Sequence, residues 1–197
     1  DQMGLVVLAN QSLDELEALV TPLFNQIPNN NIGPNYPTTQ AFTDLQLPAV
    51  LTSRSLKDTY QLAFNFPIPS TLDVYRNKPE SYLSNLVGHE GEGSLHHFLN
   101  EKGWIESLGS GSQDFDRNTS LMLINIELTE AGRAHVAEIT DLLFQYFEML
   151  RDQPPQDWLY QEQAKVAELG FRFQEQGSTV GFVYQMAPRL DQFPAED

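Results

Sequence analysis

The sequence predicts an α+β fold in which an antiparallel sheet packs against helices. Two observations lead to this fold class: apolar residues alternate in the middle of the chain, and two long helical stripes follow them. Strands and helices segregated in this way are typical of α+β folds, whereas regular alternation of strand and helix would predict a parallel sheet. A chain of 197 residues with 41% hydrophobic residues is long enough to bury such a core.

The first part of the chain predicts a strand, a helix and then a linker. Leu5–Leu8 is a short apolar run typical of a strand, and Ser12–Glu15 is a capping box that begins an amphipathic helix. Residues 28–48 are rich in Asn, Pro, Gly and Thr, and prolines break any regular element there. These prolines are Pro28, Pro34, Pro37 and Pro48. We therefore expect a linker between two packed units.

The segment after the linker predicts one strand and two short helices. The strand has apolar residues at every second position and is expected to end at Pro67. Its alternating residues are Tyr60, Leu62, Phe64 and Phe66. A helix is predicted over Pro79–Val87, the glycine-rich segment Gly88–Gly93 interrupts it, and Ser94 caps a second short helix.

The second half predicts two more strands and two long helices. Trp104–Leu108 and Thr119–Leu128 have the composition of strands, and the Gly/Ser/Asp-rich residues 109–118 are expected to join them as a loop. One long helix is predicted to begin at Thr129 and to stop at a proline pair, and a second is expected to follow it.

Charge and apolar patterning exclude two classes of partner. The chain carries 27 acidic and 11 basic residues, and a formal charge of −16 would repel a phosphate backbone. No run approaches the roughly 20 apolar residues that a membrane-spanning helix needs. We therefore expect no nucleic-acid partner and no membrane partner. The absence of cysteine also excludes disulfides and thiol catalysis.

The chain lacks the residue patterns of the common catalytic sites. His89-Glu90 begins like a helical H-E-x-x-H zinc motif, but the second histidine is replaced by Gly93, and H-x-x-E-H is missing as well. There is no G-x-S-x-G elbow, and the glycines of Gly88–Gly93 lack the Lys-Ser/Thr of a phosphate loop. Backbone-mediated recognition at Gly88–Gly93 is the functional hypothesis that remains. Its alternative is a turn that only breaks a helix.

Five segments in a fixed order carry a more specific signal. They are Leu86–Leu95, Lys102–Ile105 with Leu108, Ile126–Gly132, Phe144–Tyr146 and Pro155–Trp158. Together they resemble the pitrilysin/insulinase family of zinc metallopeptidases, and the similarity runs from Leu5 to about Phe173. The resemblance implies a pitrilysin-like α+β domain.

The resemblance also implies how the chain divides. In that family zinc is bound by an H-x-x-E-H motif and a downstream glutamate, all in the first domain. Residues 1–27 would then end the preceding catalytic domain, 28–48 would be the linker, and 49–197 would be a truncated, inactive second domain. The full-length parent would hold zinc, whereas this fragment would hold neither metal nor catalytic residues. Its partners would be peptide substrates and the remaining domains of the parent chain.

A substrate-binding exosite is implied by the same resemblance, at a position away from the zinc. Its residues would be Gly88, His89, Glu90, Leu108 and Ser110. An extended peptide could pair through its main chain with an edge strand around Leu108–Ser110. Gly88 has no side chain to obstruct that approach, and Glu90 could accept a hydrogen bond from the α-ammonium of the peptide.

Departures from the pattern of insulin-degrading enzyme fall at this same site. Ser81 and Asn85 stand where that enzyme has histidines. Glu92 replaces a proline, and Ser110 replaces a glycine. We therefore expect an anchor that is weaker than in that enzyme or differently selective.

The resemblance predicts a parent that degrades peptides as a zinc metalloendopeptidase, with this part forming chamber wall and exosite. The alternative is a non-catalytic scaffold subunit of a processing-peptidase-like complex, and a third hypothesis is a free-standing peptide-binding module. Asp1 is expected to lie within a longer chain. The compartment would be periplasmic or secreted if the source is bacterial.

Overall fold

The computed structural model describes residues 3–33, 39, 41–43, 47–57, 59–175 and 177–193. Its helices are α1 (Leu13–Phe24), α2 (Pro79–Val87), α3 (Leu95–Glu101), α4 (Glu130–Arg133), α5 (Val136–Arg151), α6 (Asp157–Arg172) and α7 (Thr179–Gln192). Its strands are β1 (Tyr60–Pro69), β2 (Ile105–Asp114) and β3 (Thr119–Leu128), and a short 3-10 helix covers Leu72–Val74. Within the described ranges no helix is long and apolar enough to cross a bilayer.

Contacts along the chain divide it into two compact units. One unit comprises residues 1–37 with 169–197, and the other comprises residues 38–168. The sequence-based domain boundaries differ from this division because they place residues 169–197 in the second domain. Those boundaries assign segments to domains of a longer parent and stay a prediction.

The smaller unit contains α1 and α7. The predicted capping box of α1 is confirmed: the Ser12 hydroxyl accepts from the Glu15 N–H, and the Glu15 carboxylate accepts from the Ser12 N–H at 2.9 Å. The backbone N–H and the hydroxyl of Ser12 lower the pKa of Glu15. Helix α7, whose first turn is capped by Ser178, was not predicted.

The predicted strand at Leu5–Leu8 is wrong, because these residues form no regular element. A strand is stable only when its N–H and C=O groups pair with a neighbour. No described strand pairs with this run, and Leu5 and Leu8 are both 47% exposed. The predicted linker over 28–48 has no regular element among its described residues, and its residues 34–38, 40 and 44–46 lie outside them.

The larger unit is built on a three-stranded antiparallel sheet in the order β1-β3-β2. Along the central strand β3, alternate residues are buried, as predicted for its apolar face. These residues are Met122, Ile124, Ile126 and Leu128. Helices α2, α3 and α5 add Val87, Leu95, Leu99, Ile139 and Leu143 to the same buried cluster. The predicted fold class, an antiparallel sheet packed against helices, is confirmed.

Both outer strands are longer than predicted. β1 continues through Pro67 to Pro69, with Pro67 opposite Leu121 on β3. An outer strand tolerates proline because the missing N–H can fall on the side that has no neighbour. β2 continues to Asp114, so the predicted loop over 109–118 is wrong for residues 109–114.

The long helix predicted from Thr129 is divided into α4 and α5 at His135. Thr129 fixes the first turn: its side chain accepts from the Gly132 N–H at 2.9 Å and donates to the Gly103 carbonyl at 2.6 Å. His135 has a non-helical conformation (φ −112°, ψ 19°), and its ring stacks on Trp104 at a centroid distance of 4.2 Å. These contacts with the residues before β2 interrupt the helix.

Candidate functional site

The C-terminal end of α2 lies close to the outer strand β2. The Gly88 N–H donates to the Ser84 carbonyl at 2.9 Å and ends the helix. A Cβ added at Gly88 would lie 3.1 Å from the Ser84 oxygen and 3.5 Å from the Ser110 nitrogen. A side chain at this position would crowd the Ser84 carbonyl at the end of the helix, whereas its distance to Ser110 would be an ordinary contact.

The segment after Gly88 forms a turn that contains two further glycines. Gly93 has a φ of +84°, in the left-handed region where glycine carries little strain. The His89 ring lies over Gly91, where an added Cβ would come within 2.6 Å of Nε2. His89 and Glu90 are both exposed. Among the residues that the structure describes, Glu90 makes no hydrogen bond or ion pair.

The other wall is the outer part of β2, which carries small side chains. Nothing lies within 4 Å of a Cβ built at Gly109 or at Gly111. Leu108 is only 4% exposed, backbone included, so the accessible part of this strand begins at Gly109. Ser110 is half-buried, opposite Ile124 on β3.

Two serine hydroxyls between these walls are buried without a partner in the described part of the chain. They are the Oγ atoms of Ser84 and Ser110. Unpaired buried hydroxyls destabilise a structure by about 1–3 kcal/mol each. The seam between α2 and β2 is therefore polar, in contrast to the apolar cluster around β3.

Together the two walls enclose an open groove with a volume of about 850 Å³. All five residues of the predicted exosite line it: Gly88, His89, Glu90, Leu108 and Ser110. Ser81 and Asn85, the positions that depart from insulin-degrading enzyme, line it as well. The structure thus brings the predicted residues together, and their role in binding stays a prediction.

Sequence reasoning missed the part of the groove that β2 forms beyond Ser110. Gly111 and Ser112 line it, as do Ser84 and Gly91 on the opposite side. The missing signal was strand character in residues 109–114, which contain no apolar alternation. The position of Ser84 one helical turn before Gly88 could have identified it, since residues four apart share a helix face.

A zinc site does not fit the residues described here. No group of three or more His, Asp or Glu side chains among them could hold a metal ion. His97 lies 3.6 Å from Glu101, one turn further along α3, without a third ligand. No catalytic step through a metal is therefore assigned to this chain.

The fold defines the class of protein first. The structure matches the crystal structure of pitrilysin with a TM-score of 0.83 and 23% sequence identity, over 95% of this chain and 20% of that chain. This is a pitrilysin-like α+β domain.

A comparison with known families then assigns the chain to one of them. The family described as "Peptidase M16 inactive domain" matches residues 1–166 of this chain. The chain belongs to the M16 peptidase family, and the resemblance to insulinase-type metallopeptidases is confirmed.

Curated relatives agree with this assignment. Human insulin-degrading enzyme is 36% identical over 196 residues, covering 99% of this chain and 19% of the human protein. A nardilysin-like protein of Arabidopsis thaliana is 34% identical, and the matched region covers 98% of this chain and 19% of the Arabidopsis protein. The chain thus spans about one fifth of the length of these relatives.

Proposed function

We propose that this chain is part of a zinc-dependent, insulinase-like metalloendopeptidase and that its groove anchors the N-terminal segment of a peptide substrate. The observation that carries the proposal is the meeting of five predicted residues in one open groove beside an outer strand. The zinc ligands would lie elsewhere in the parent, because the described residues supply no metal site. The chain would contribute substrate anchoring and chamber wall.

The outer edge of β2 supports binding of an extended peptide. Alternate N–H and C=O groups of an outer strand point away from the sheet, and an added strand can bond to them with little demand on its sequence. Gly109 and Gly111 leave the approach open, and the buried Leu108 side chain does not block it. The groove therefore suits a peptide in a β conformation.

Glu90 supports binding of the peptide's N-terminus. It is exposed at the groove and carries no partner within the described ranges. A carboxylate in this position can accept from an α-ammonium, and such a charge-assisted bond is stronger than a neutral one. The exposure of Glu90 limits the expected gain to about 1 kcal/mol, or fivefold in affinity.

Peptide chemistry tests the main-chain pairing in the whole protein. Binding is measured by fluorescence anisotropy for a series of peptides, each N-methylated at one backbone nitrogen in the anchored segment. Because neighbouring N–H groups of a strand point in opposite directions, we expect affinity to fall at every second position only. Uniform tolerance of N-methylation along the segment would contradict strand addition.

The charge contact has its own test. Glu90→Ala should raise KM for long peptides about fivefold and leave short peptides, which do not reach the groove, nearly unchanged. N-terminal acetylation of the long peptide should cause the same loss in the native protein and little further loss in the variant. Glu162→Ala, on the exposed surface of α6 and outside the groove, is the matched control. Equal effects of Glu90→Ala on both peptide lengths would count against anchoring.

The coding sequence upstream of Asp1 tests the parent activity. An H-x-x-E-H motif there is expected for a metalloendopeptidase. A related upstream domain without the motif would instead favour a non-catalytic scaffold subunit.

A further inference from the structure

A second concave surface lies between α3 and α5 and shares no residue with the first groove. Residues 92–101 form one wall and residues 142–149 form the other, around a volume of about 570 Å³. We call it the α3/α5 groove. Neither the sequence patterns nor the proposed peptide anchor accounts for it.

The floor of the α3/α5 groove is apolar. Three apolar or aromatic residues at helical spacing on α5 line it: Leu142, Tyr146 and Met149. Phe98 faces them from α3 and is 44% exposed, and Met149 is 47% exposed. Large apolar side chains grouped in a concavity in this way commonly mark a binding site, whereas scattered ones do not.

The rim of the groove is acidic. Glu92 and Glu101 line it, with His97 beside Glu101 at 3.6 Å, and no lysine or arginine is among the lining residues. The neighbouring Lys102 holds its ammonium over the rings of Phe98 and Trp104, 4.9 Å from each ring centre. Two carboxylates and one neighbouring ammonium leave a net negative charge for an occupant of the groove to meet.

We propose that the α3/α5 groove binds a cationic polypeptide segment, in which one or two large apolar side chains are flanked by lysine or arginine. The apolar side chains would contact Phe98 and Met149, and the cationic groups would pair with Glu92 and Glu101. A second copy of this chain is a poor occupant, because a formal charge of −16 opposes contact at an acidic rim. This proposal does not depend on the role of the first groove.

The test uses two labelled peptides and the whole protein. One is KKLFLKK and the other is EELFLEE, both acetylated and amidated so that no terminal charge can bind at Glu90, with a chelator present to stop any hydrolysis. Anisotropy is expected to show that the lysine peptide binds at least about tenfold more tightly than the glutamate peptide, since opposite charges attract and like charges repel at the rim. Equal affinities, or no binding of the lysine peptide at millimolar concentration, would overturn the proposal.

Variants show in which of the two grooves the lysine peptide binds. The double variant Glu92→Gln with Glu101→Gln should weaken the lysine peptide about five- to tenfold, because each exposed ion pair contributes modestly. Met149→Ala should weaken both peptides to a similar degree through lost apolar contact. Glu90→Gln, at the first groove, and Glu162→Gln, on α6, are the matched controls and should have no effect. A loss in Glu90→Gln equal to that of the double variant would place the peptide in the first groove and overturn the proposal.

Discussion

The two outer strands of the sheet pair with the same central strand but differ in how they are held. The apolar residues of β1 pack against the buried cluster, and its Phe66 ring meets Phe144 and Phe147 of α5 edge to face, at 6.2 and 5.8 Å. β2 is buried at Ile105 and Leu108, meets the end of α2 at Ser110, and carries glycine, serine and other polar residues in its outer half. The difference indicates two roles for outer strands, since one completes the core and the other leaves backbone accessible to another chain.

Loss of the fixed beginning of β2 should have the largest effect. A Cβ at Gly132 would lie 1.8 Å from the Trp104 carbonyl oxygen, which also accepts from the Thr129 N–H at 3.0 Å. Gly132→Ala should therefore reduce the free energy of unfolding by more than about 3 kcal/mol, because backbone must move to relieve the clash. Urea unfolding followed by circular dichroism measures this. A loss below about 0.5 kcal/mol, the usual range of surface substitutions, would mean that β2 is not anchored here.

The aromatic contacts of β1 come next. Phe66→Ala should cost about 2–3 kcal/mol in the free energy of unfolding, less than for a fully buried phenylalanine because Phe66 is half-buried. The substitution removes both edge-to-face contacts with α5. The same unfolding experiment on Ala63→Ser, at an exposed position of the same strand, supplies the control. If both variants unfolded alike, β1 would not be fixed by its aromatic face.

A smaller effect is expected at the contact between α5 and α2, the helix that lies beside β2. The Tyr146 hydroxyl donates to the Leu86 carbonyl at 3.1 Å, near the end of α2. Tyr146→Phe should cost about 1 kcal/mol in stability through the lost hydrogen bond. A more mobile end of α2 should also weaken peptide binding at the first groove. Measurement of both quantities in one variant tests whether that groove depends on α5.

The same tyrosine makes stability depend on alkaline pH. Burial raises the pKa of Tyr146 above its ordinary value of 10.0. Below pH 10 the phenol is protonated in both states, so its contribution to stability is complete. As pH rises further, the unfolded chain loses this proton first, and stability falls until the folded pKa is passed. Chemical unfolding across this range should show a shallower decline in Tyr146→Phe than in the native chain.

The outer half of β2 should show the smallest effect. Nothing lies within 4 Å of a Cβ at Gly109, so Gly109→Ala should change the free energy of unfolding by no more than about 0.5 kcal/mol. Thermal unfolding of the variant measures this. A large loss would mean that this part of β2 is constrained as tightly as β1, and the contrast between the two strands would disappear.

Elements that follow strong local signals could be predicted from the sequence. The helix over Pro79–Val87, the cap at Ser94 and the buried face of β3 all agree with the structure, because proline, capping serine and apolar alternation act locally. The outer half of β2 could not be predicted. Its Gly/Ser composition has little strand propensity, and pairing with β3 imposes the conformation.

The candidate site shows the same limit. Its five residues were predicted from a resemblance to a family pattern, and the structure brings them to one groove. Ser84 and Ser112 were missed, since they enter the groove only through the approach of α2 to a strand that the sequence did not predict at full length. The division of the long helix at His135 was missed for a related reason. It depends on the contacts of Thr129 with Gly103 and of His135 with Trp104, which no local pattern encodes.

The exposed side of β2 has a consequence for the behaviour of the chain in solution. A strand without a neighbour, as β2 is on one side among the described residues, can accept an identical strand and so begin aggregation. A formal charge of −16 opposes this, but the repulsion acts over only about 8–10 Å at physiological ionic strength. We therefore expect colloidal stability to fall as salt is added, and a bound peptide on β2 to restore it.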